Sequence, residues 1–285
     1  MKRSDFRHIE PLRVRWAEVD AQGIVFNGHY LTYLDTAVSG YWRALALPYA
    51  ETMAALGGDL FVRRATLDYR GSARYDDQLG IGIRVREFGN SSMKVDAGIF
   101  RGEQMLVHGE MVYVFADPAT QSPLRLPDAL RAIIQAFESG QGVVDVTVGG
   151  WAELGEAAAV IRREVFVEEQ HIPADLEWDS ADAECQHALA RNRLGRPLAT
   201  GRLLEHVPGV AKIGRMAVRR VLRGSQVGRQ VLDALMAEAR RQGYREVLLH
   251  AQLSAEGFYQ RAGFQRRGEV FEEAGIAHVE MVRGL

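Results

Sequence analysis

Residues 14–37 read VRWAEVDAQGIVFNGHYLTYLDTA, and this stretch places a predicted strand, a carboxylate and a helix start close together. Residues 14–19 favour a strand and residues 21–23 a turn. From Asn27 onward, apolar residues recur every three or four positions, which predicts a buried amphipathic helix: Tyr30, Tyr33, Leu34, Ala37, Val38, Tyr41, Trp42 and Leu45. Because the first turn of a helix has unpaired N–H groups that can polarise a carbonyl oxygen, Asp20 would lie beside an oxyanion site. The arrangement suits attack on an acyl group.

A structural interpretation of the same stretch stays open. In that interpretation Asp20 only closes an Asx turn before the helix, and Tyr30 and Trp42 only fill the core. The spacing of the residues does not decide between the two.

Beyond the helix the pattern changes to strands. Four runs rich in Val, Ile, Tyr and Phe are separated by short turns, at residues 61–69, 78–88, 93–100 and 104–117. Short turns imply antiparallel neighbours, so we expect a curved antiparallel sheet around the long helix. Residues 128–139 then predict a terminal helix.

The residues around Asp20 resemble the 4-hydroxybenzoyl-CoA thioesterase branch of the hot-dog-fold acyl-CoA thioesterases. That motif runs acidic-x-Asp-x-x-Gly-(Ile/Val)-Val-aromatic, followed by a helix with a tyrosine and an acidic residue. Its positions correspond here to Glu18, Asp20, Gly23, Ile24, Val25, Phe26, Tyr30 and Asp35. The resemblance implies that Asp20 is the catalytic carboxylate, as nucleophile or as base on a water, and that the N–H near Asn27 polarises the thioester. It also implies a homodimer or homotetramer with sites at the subunit interface.

Small, flexible residues follow the terminal helix and mark a domain boundary. The run SGQG occupies residues 139–142, and a new strand is predicted after it. A length of 285 residues also favours two domains, at about 150 residues each. We therefore predict an N-terminal domain at residues 1–140 and a C-terminal domain at residues 141–285.

The C-terminal half contains a strand, a glycine-containing turn and a helix in succession. The strand is predicted at 212–218 and the helix at 229–242, with RRVLRGSQVG between them. This order places backbone N–H groups at the positive end of the helix dipole, where they can bind a diphosphate. Neither a P-loop lysine pattern nor a GxGxxG fingerprint is present, which disfavours nucleoside triphosphate and NAD as ligands.

This half resembles the GNAT acetyltransferases, whose acetyl-CoA loop is Arg/Gln-x-x-Gly-x-Gly/Ala. Arg223 and Gly228 match, whereas Gln226 stands where the family usually has glycine. The resemblance implies an α/β domain whose cofactor-binding residues are Met216, Val218, Arg223, Gly224, Ser225, Gln226, Val227, Gly228 and Arg229. It also implies that Tyr259, in FYQRAGF, protonates the leaving thiolate of CoA. If position 226 needs a positive φ, glutamine there would weaken cofactor binding by roughly a kcal/mol or more.

The group that deprotonates the acceptor amine is open at this level. Four residues are candidates by type: Glu168, Glu169, His250 and His278. An ordered water could serve instead. The histidines show no metal-ligand spacing, so no metal is assigned, and Tyr259 has an alternative role as a core residue beside Phe258 and Phe264.

Composition excludes several classes of protein. A net charge of -2 offers no basic surplus for nucleic acid, and no run approaches the about 18 apolar residues of a membrane span. The N-terminus lacks the apolar run of a secretory signal, and the single cysteine, Cys185, is consistent with a reducing compartment. We therefore expect a cytoplasmic location, with no nucleic acid or membrane as a partner.

Taken together, these patterns predict an α+β protein in which a hot-dog domain precedes a GNAT domain. The functional hypothesis is bifunctional: the first half hydrolyses acyl-CoA, and the second transfers an acetyl group from acetyl-CoA to an unknown amine. The alternative is that only one half is catalytic and the other binds acyl-CoA or dimerises the chain.

Overall fold

Two separate β-sheets organise the computed structural model, which describes residues 1–285. One sheet belongs to the unit Met1–Val143 and the other to the unit Val144–Leu285. None of the helices combines the length and the apolar character needed to cross a membrane.

The first unit wraps an antiparallel sheet around one long helix. Its elements are β1 (His8–Arg13), α1 (His29–Ala44), α2 (Tyr49–Leu56), β2 (Asp59–Tyr69), β3 (Gln78–Phe88), β4 (Ser92–Arg101), β5 (Gln104–Ala116) and α3 (Asp128–Glu138). The five strands lie in the order β1-β3-β4-β5-β2, with every pair antiparallel. This is the predicted hot-dog architecture, and the prediction of the fold class is confirmed.

The apolar face of α1 forms the core of this unit. Tyr33, Leu34 and Ala37 are almost completely buried. Gly109 on β5 allows the close approach, since a Cβ atom there would lie 3.0 Å from the Leu34 side chain. The sheet therefore holds α1 at short range and fixes the position of the loop that precedes it.

The prediction of a strand at residues 14–19 is wrong. Residues Trp16–Glu18 form a 3₁₀ turn, because the Glu18 carboxylate accepts a hydrogen bond from the backbone N–H of Arg15 at 2.7 Å. The actual strand is β1, which precedes this turn and pairs only with β3 at the sheet edge. Pro11 is compatible with this edge position, where a missing donor does not interrupt the sheet.

The second unit is a mixed sheet flanked by helices. Its elements are β6 (Val144–Gly150), α4 (Trp151–Arg162), α5 (Ala174–Glu177), β7 (Gln186–Asn192), β8 (Pro197–Val207), β9 (Val210–Val218), α6 (Val227–Arg241), β10 (Glu246–Gln252), α7 (Glu256–Arg261), β11 (Gln265–Glu273) and β12 (Ile276–Gly284). The strand order is β11-β12-β10-β9-β8-β7-β6, and only β9 and β10 are parallel. This is the predicted α/β domain.

Several elements of this unit differ from the sequence-based expectations. The helix expected at 153–169 is α-helical only to Arg162 and continues as a π-helix over Arg163–Glu169. The helix expected at 254–262 is a 3₁₀ turn followed by α7. The hairpin of β11 and β12 was not predicted, because most of its residues are charged or exposed and show no clear alternation.

Candidate functional sites

Asp20 lies in a tight loop directly before α1. Its backbone N–H donates to the Ile24 carbonyl at 2.9 Å, and Val19 forms a single β-bridge with Val25. One carboxylate oxygen, Oδ1, accepts the N–H of Gln22 at 2.8 Å, which is an Asx turn. The other oxygen, Oδ2, accepts no hydrogen bond from the protein, so the half-buried carboxylate keeps one oxygen free for chemistry.

Two backbone donors near this loop are also free. The N–H of Phe26 donates to the Glu18 carbonyl at 2.9 Å and the N–H of His29 to the Phe26 carbonyl, whereas those of Asn27 and Gly28 donate to no protein acceptor. They lie at the positive end of α1, where the helix dipole favours negative charge. This end of the helix can therefore stabilise an oxyanion.

Other motif positions hold the loop in place. Glu18 is buried and accepts the hydroxyl of Tyr33 at 2.7 Å as well as the Arg15 side chain. Burial alone would raise the pKa of Glu18, but these hydrogen bonds outweigh it and hold the pKa below its usual value. Tyr30 accepts the backbone N–H of Ala73 at 2.9 Å. These contacts give Glu18 and Tyr30 a structural role.

Aromatic side chains surround the loop on the surface. Trp16 and Tyr75 are exposed and pack edge to face with ring centroids 5.3 Å apart. Phe26 is 53% exposed, and the exposed Tyr69 donates its hydroxyl to the Asn27 carbonyl at 3.2 Å. Large exposed apolar groups beside free polar groups are typical of ligand or subunit contacts.

In the second unit, the loop before α6 opens onto a cavity of about 760 Å³. Seven of the predicted cofactor-binding residues line it: Met216, Val218, Arg223, Gly224, Gln226, Gly228 and Arg229. The other two do not: the Ser225 hydroxyl donates to the Leu222 carbonyl at 2.6 Å, and Val227 is buried. No side chain caps the N-terminus of α6, so its first N–H groups are available to a diphosphate.

Two loop positions have specific backbone requirements. Gln226 has φ 70° and ψ -2°, the left-handed conformation that favours glycine. Gly228 allows α6 to approach β9, because a Cβ atom there would lie 2.9 Å from the Val218 side chain. Arg223 forms a two-bond ion pair with Glu169, both distances being 2.6 Å.

Tyr259 lies between this cavity and a second one of about 630 Å³. Five residues line both cavities: Gln170, Met216, Gln252, Ala255 and Tyr259. Burial raises the pKa of the Tyr259 phenol, so its proton is retained at neutral pH. The ring also packs against Phe258 and Phe264, with centroids 4.9 and 6.0 Å away, so Tyr259 combines core contacts with access to both cavities.

The structure separates the four candidate bases. Glu168 is exposed and lines neither cavity, and Glu169 lines the first cavity but is paired with Arg223. His250 and His278 both line the second cavity. Sequence reasoning did not single out Gln170 and Gln252, whose side chains are hydrogen-bonded at 2.9 Å where the cavities meet, because they end two separate runs, VFVEEQ and LLHAQ, that come together only in the fold.

Comparisons with known proteins agree with this division of the chain. The family described as acetyltransferase (GNAT) domain matches residues 140–285, and the thioesterase superfamily matches residues 22–108. The uncharacterized protein YyaT of Bacillus subtilis is 36% identical over 137 residues, covering 47% of this chain and 90% of the relative. The uncharacterized N-acetyltransferase YjcF of the same organism is 33% identical over 127 residues, covering 44% and 89%. A DHNA-CoA thioesterase from Staphylococcus aureus is structurally similar, with a TM-score of 0.42 and 22% identity over 46% of this chain and 88% of that protein.

Proposed function

Because the chain belongs to the GNAT acetyltransferase family through residues 140–285 and carries a thioesterase-superfamily domain at residues 22–108, we propose that both halves catalyse reactions of coenzyme A thioesters. The first half hydrolyses an acyl-CoA. The second half transfers the acetyl group of acetyl-CoA to an amine.

Hydrolysis in the first half rests on one observation: Asp20 keeps a free carboxylate oxygen in the same short segment, before α1, that carries the unpaired N–H groups of Asn27 and Gly28. The carboxylate attacks the thioester carbon directly or removes a proton from the attacking water. The two N–H groups hold the oxygen that becomes negative, and one such donor typically lowers the barrier by about 3 kcal/mol. The exposed aromatic residues around the loop supply contacts for the acyl group or for a second copy of the chain, as a homodimer or homotetramer would require.

The variant Asp20→Asn tests this proposal cleanly. An asparagine oxygen still accepts the N–H of Gln22, so the Asx turn is retained while the nucleophile or base is lost. We expect CoA release from a panel of acyl-CoAs to fall by on the order of 10²-fold or more. Glu103→Gln, at an exposed position in the turn between β4 and β5 and outside the motif, serves as the control and should leave the rate unchanged.

The Asx turn also favours a second candidate function for this half. An aspartate that only closes a turn would make the same hydrogen bond to Gln22, and the half would then bind acyl-CoA or dimerise the chain without turnover. Binding of acyl-CoA without hydrolysis by the unmodified chain would support this alternative, and hydrolysis that is unchanged in Asp20→Asn would exclude the proposed chemistry.

Acetyl transfer in the second half rests on the position of Tyr259 between two cavities. The first cavity receives CoA, whose diphosphate would meet the N-terminus of α6 together with Arg223 and Arg229. The second cavity receives the amine. Tyr259, kept protonated by burial, donates its proton to the departing thiolate.

The variant Tyr259→Phe separates catalysis from binding. We expect the rate of N-acetylated product formation to fall by on the order of 10²-fold, with the Kd for acetyl-CoA unchanged in a calorimetric titration. Measuring the amide product keeps hydrolysis by the first half out of the result. Tyr244→Phe, outside both cavities, is the matched control, and an equal loss in both variants would contradict the role of Tyr259.

A further inference from the structure

One face of the second sheet carries several titratable side chains that line the second cavity. His250 on β10 lies directly opposite Glu280 on β12, and Gln252 lies opposite His278. Glu273, at the end of β11, reaches the same place, and its Oε2 lies 3.0 Å from Nδ1 of His250. His250, Gln252, Glu273 and His278 all line the cavity of about 630 Å³.

We propose that His250 is the general base of the acetyl transfer and that Glu273 is its positioning residue. This inference rests on the proposed acetyltransferase function and assigns the proton acceptor that the reaction needs. The acceptor is an amine that enters the second cavity as an ammonium ion, and His250 removes its proton through Nε2.

The reach of His250 fits this role. Gln252 contacts both cavities and marks the place where the acetyl carbon and the amine must meet. His250 is two positions away on the same strand and on the same face, a separation of roughly 7 Å along the backbone. A side chain at this position reaches the amine directly or through one water.

The hydrogen bond to Glu273 at 3.0 Å, shorter than the 3.3 Å contact from Lys212 Nζ to the same nitrogen, favours one tautomer. A carboxylate only accepts hydrogen bonds, so Nδ1 of His250 carries the proton that is donated to Glu273. Nε2 then holds the free lone pair. Its nearest carboxylate oxygen belongs to Glu280 at 4.0 Å, beyond hydrogen-bond distance, and Glu280 is itself paired with Arg267.

Charged groups of both signs lie around His250. The Nζ atom of Lys212, on β9, lies 3.3 Å from Nδ1 of His250. Lys212 itself forms no ion pair with a carboxylate within 4.0 Å. Burial lowers the pKa of Lys212. Lys212 therefore opposes an early positive charge on the ring, while Glu273 and the more distant Glu280 stabilise the imidazolium once the proton has transferred.

The other titratable groups at the cavity are less suited to the role. His278 donates from Nδ1 to the carbonyl of Ile276 at 2.8 Å, and no carboxylate pairs with its ring. His206 is exposed and has no ion pair. Glu177 and Asp179 are held by arginine side chains.

His250 and Tyr259 account for every proton transferred in the reaction of the ammonium ion with acetyl-CoA. The ammonium gives one proton to Nε2, and the nitrogen lone pair then forms a bond to the thioester carbon. The C–S bond breaks, its electron pair stays on sulfur, and Tyr259 protonates the thiolate to give CoA. The phenolate recovers its proton from the new amide nitrogen, and His250 releases the other proton to water.

The state of His250 can be measured without knowing the acceptor. In the full chain labelled with ¹³C and ¹⁵N histidine, the resonance that disappears in His250→Gln identifies this ring. We expect the Nδ1–H tautomer at pH 8. We also expect the NMR titration midpoint to decrease in Glu273→Gln and to increase in Lys212→Met, because the two neighbours have opposite charges. An Nε2–H tautomer, or a midpoint that neither variant moves, would overturn the proposal.

Kinetics provides the second arm. With spermidine, tyramine and ethanolamine as probes, His250→Gln should lower kcat/KM for amide formation by on the order of 10²-fold without changing the Kd for acetyl-CoA. Transfer to hydroxylamine, which is largely unprotonated at neutral pH, should be much less affected. In Glu273→Gln the acidic limb of the pH profile should move to lower pH. His171→Gln, an exposed position that lines neither cavity, is the matched control.

The outcomes separate this inference from the function on which it rests. If the wild-type chain does not bind acetyl-CoA, the proposed acetyltransferase function fails. If it binds acetyl-CoA and acetylates a probe, but His278→Gln causes the loss and His250→Gln does not, the assignment of the base is wrong. If no probe is acetylated, the NMR experiment decides whether His250 is the base: the Nδ1–H tautomer and midpoint shifts of opposite sign in Glu273→Gln and Lys212→Met support the assignment, and their absence overturns it.

Discussion

At the scale of single residues, the conformation of Gln226 shows which property is affected by glutamine at a position where the motif has glycine. The sequence suggested that glutamine in place of glycine weakens cofactor binding. The structure places Gln226 in the left-handed conformation, and the cost of that conformation falls on the stability of the folded unit. A non-glycine residue in this conformation costs about 1–2 kcal/mol.

Gln226→Gly should therefore stabilise the second unit. Part of the relief is offset because glycine is more flexible in the unfolded chain, which leaves a gain of about 0.5–1 kcal/mol in the free energy of unfolding. Urea denaturation measures this gain, and the Kd for acetyl-CoA should not change. Gln230→Gly, an exposed position inside α6, is the opposite-sign control and should cost about 1 kcal/mol. A loss of stability in Gln226→Gly would contradict the conclusion that the left-handed conformation of Gln226 is strained.

Residues near motifs were accessible to prediction, whereas residues that meet only in space were not. The loop at Asp20 and the loop at Arg223 were recognised because their spacing is local. The pair His250 and Glu273 was not, because Glu273 lies in a strand whose charged sequence hides its alternation.

At the scale of elements, a buried ionic network holds the wall of the second cavity. Arg162 on α4 is 1% exposed and binds Glu177 at 2.5 Å and Asp182 at 2.8 Å. Arg202 on β8 binds the same Asp182 at 2.7 Å and Asp179 at 2.6 Å. The network joins α4 and β8 to the segment from α5 to the 3₁₀ turn Ser180–Glu184, and Glu177 and Asp179 line the cavity.

Arg162→Met should destabilise the second unit by about 3 kcal/mol, because Glu177 keeps only its longer contact to Arg215 and Asp182 loses one of its two arginine partners. Hydrogen exchange followed by mass spectrometry should show faster exchange in residues 174–184. Arg240→Met is the control, since Arg240 is an exposed residue on α6 and its replacement should cost less than about 1 kcal/mol. A similar small cost for both variants would show that the network does not hold this wall.

Periodicity and composition explain which elements were predictable. Helix α1 has a clear period of 3.6, and strands β2 to β5 are runs rich in Val, Ile, Tyr and Phe between short turns; their predicted bounds agree with the structure to within two residues. Strand β1 was missed because it contains Pro11 and charged residues at a sheet edge. The network of Arg162 could not be read from the sequence, because its charges are dispersed over 40 residues and converge only after folding.

At the scale of the whole molecule, two units of different architecture are assigned one class of ligand. Each unit has free backbone N–H groups at a helix N-terminus: those of Asn27 and Gly28 directly before α1, and those at the uncapped start of α6. The first would stabilise an oxyanion, and the second would bind a diphosphate. In the proposed function the two halves would therefore use the same backbone property for different chemistry.

The central claim is that each half binds its own CoA thioester. Isothermal titration of the full chain with acetonyl-CoA, a thioether that cannot be hydrolysed or transferred, tests it directly. We expect two molecules bound per chain, and one in the variant that combines Arg223→Glu with Arg229→Glu, which places negative charge where the diphosphate binds. Saturation of the unmodified chain at one molecule or none would contradict the account.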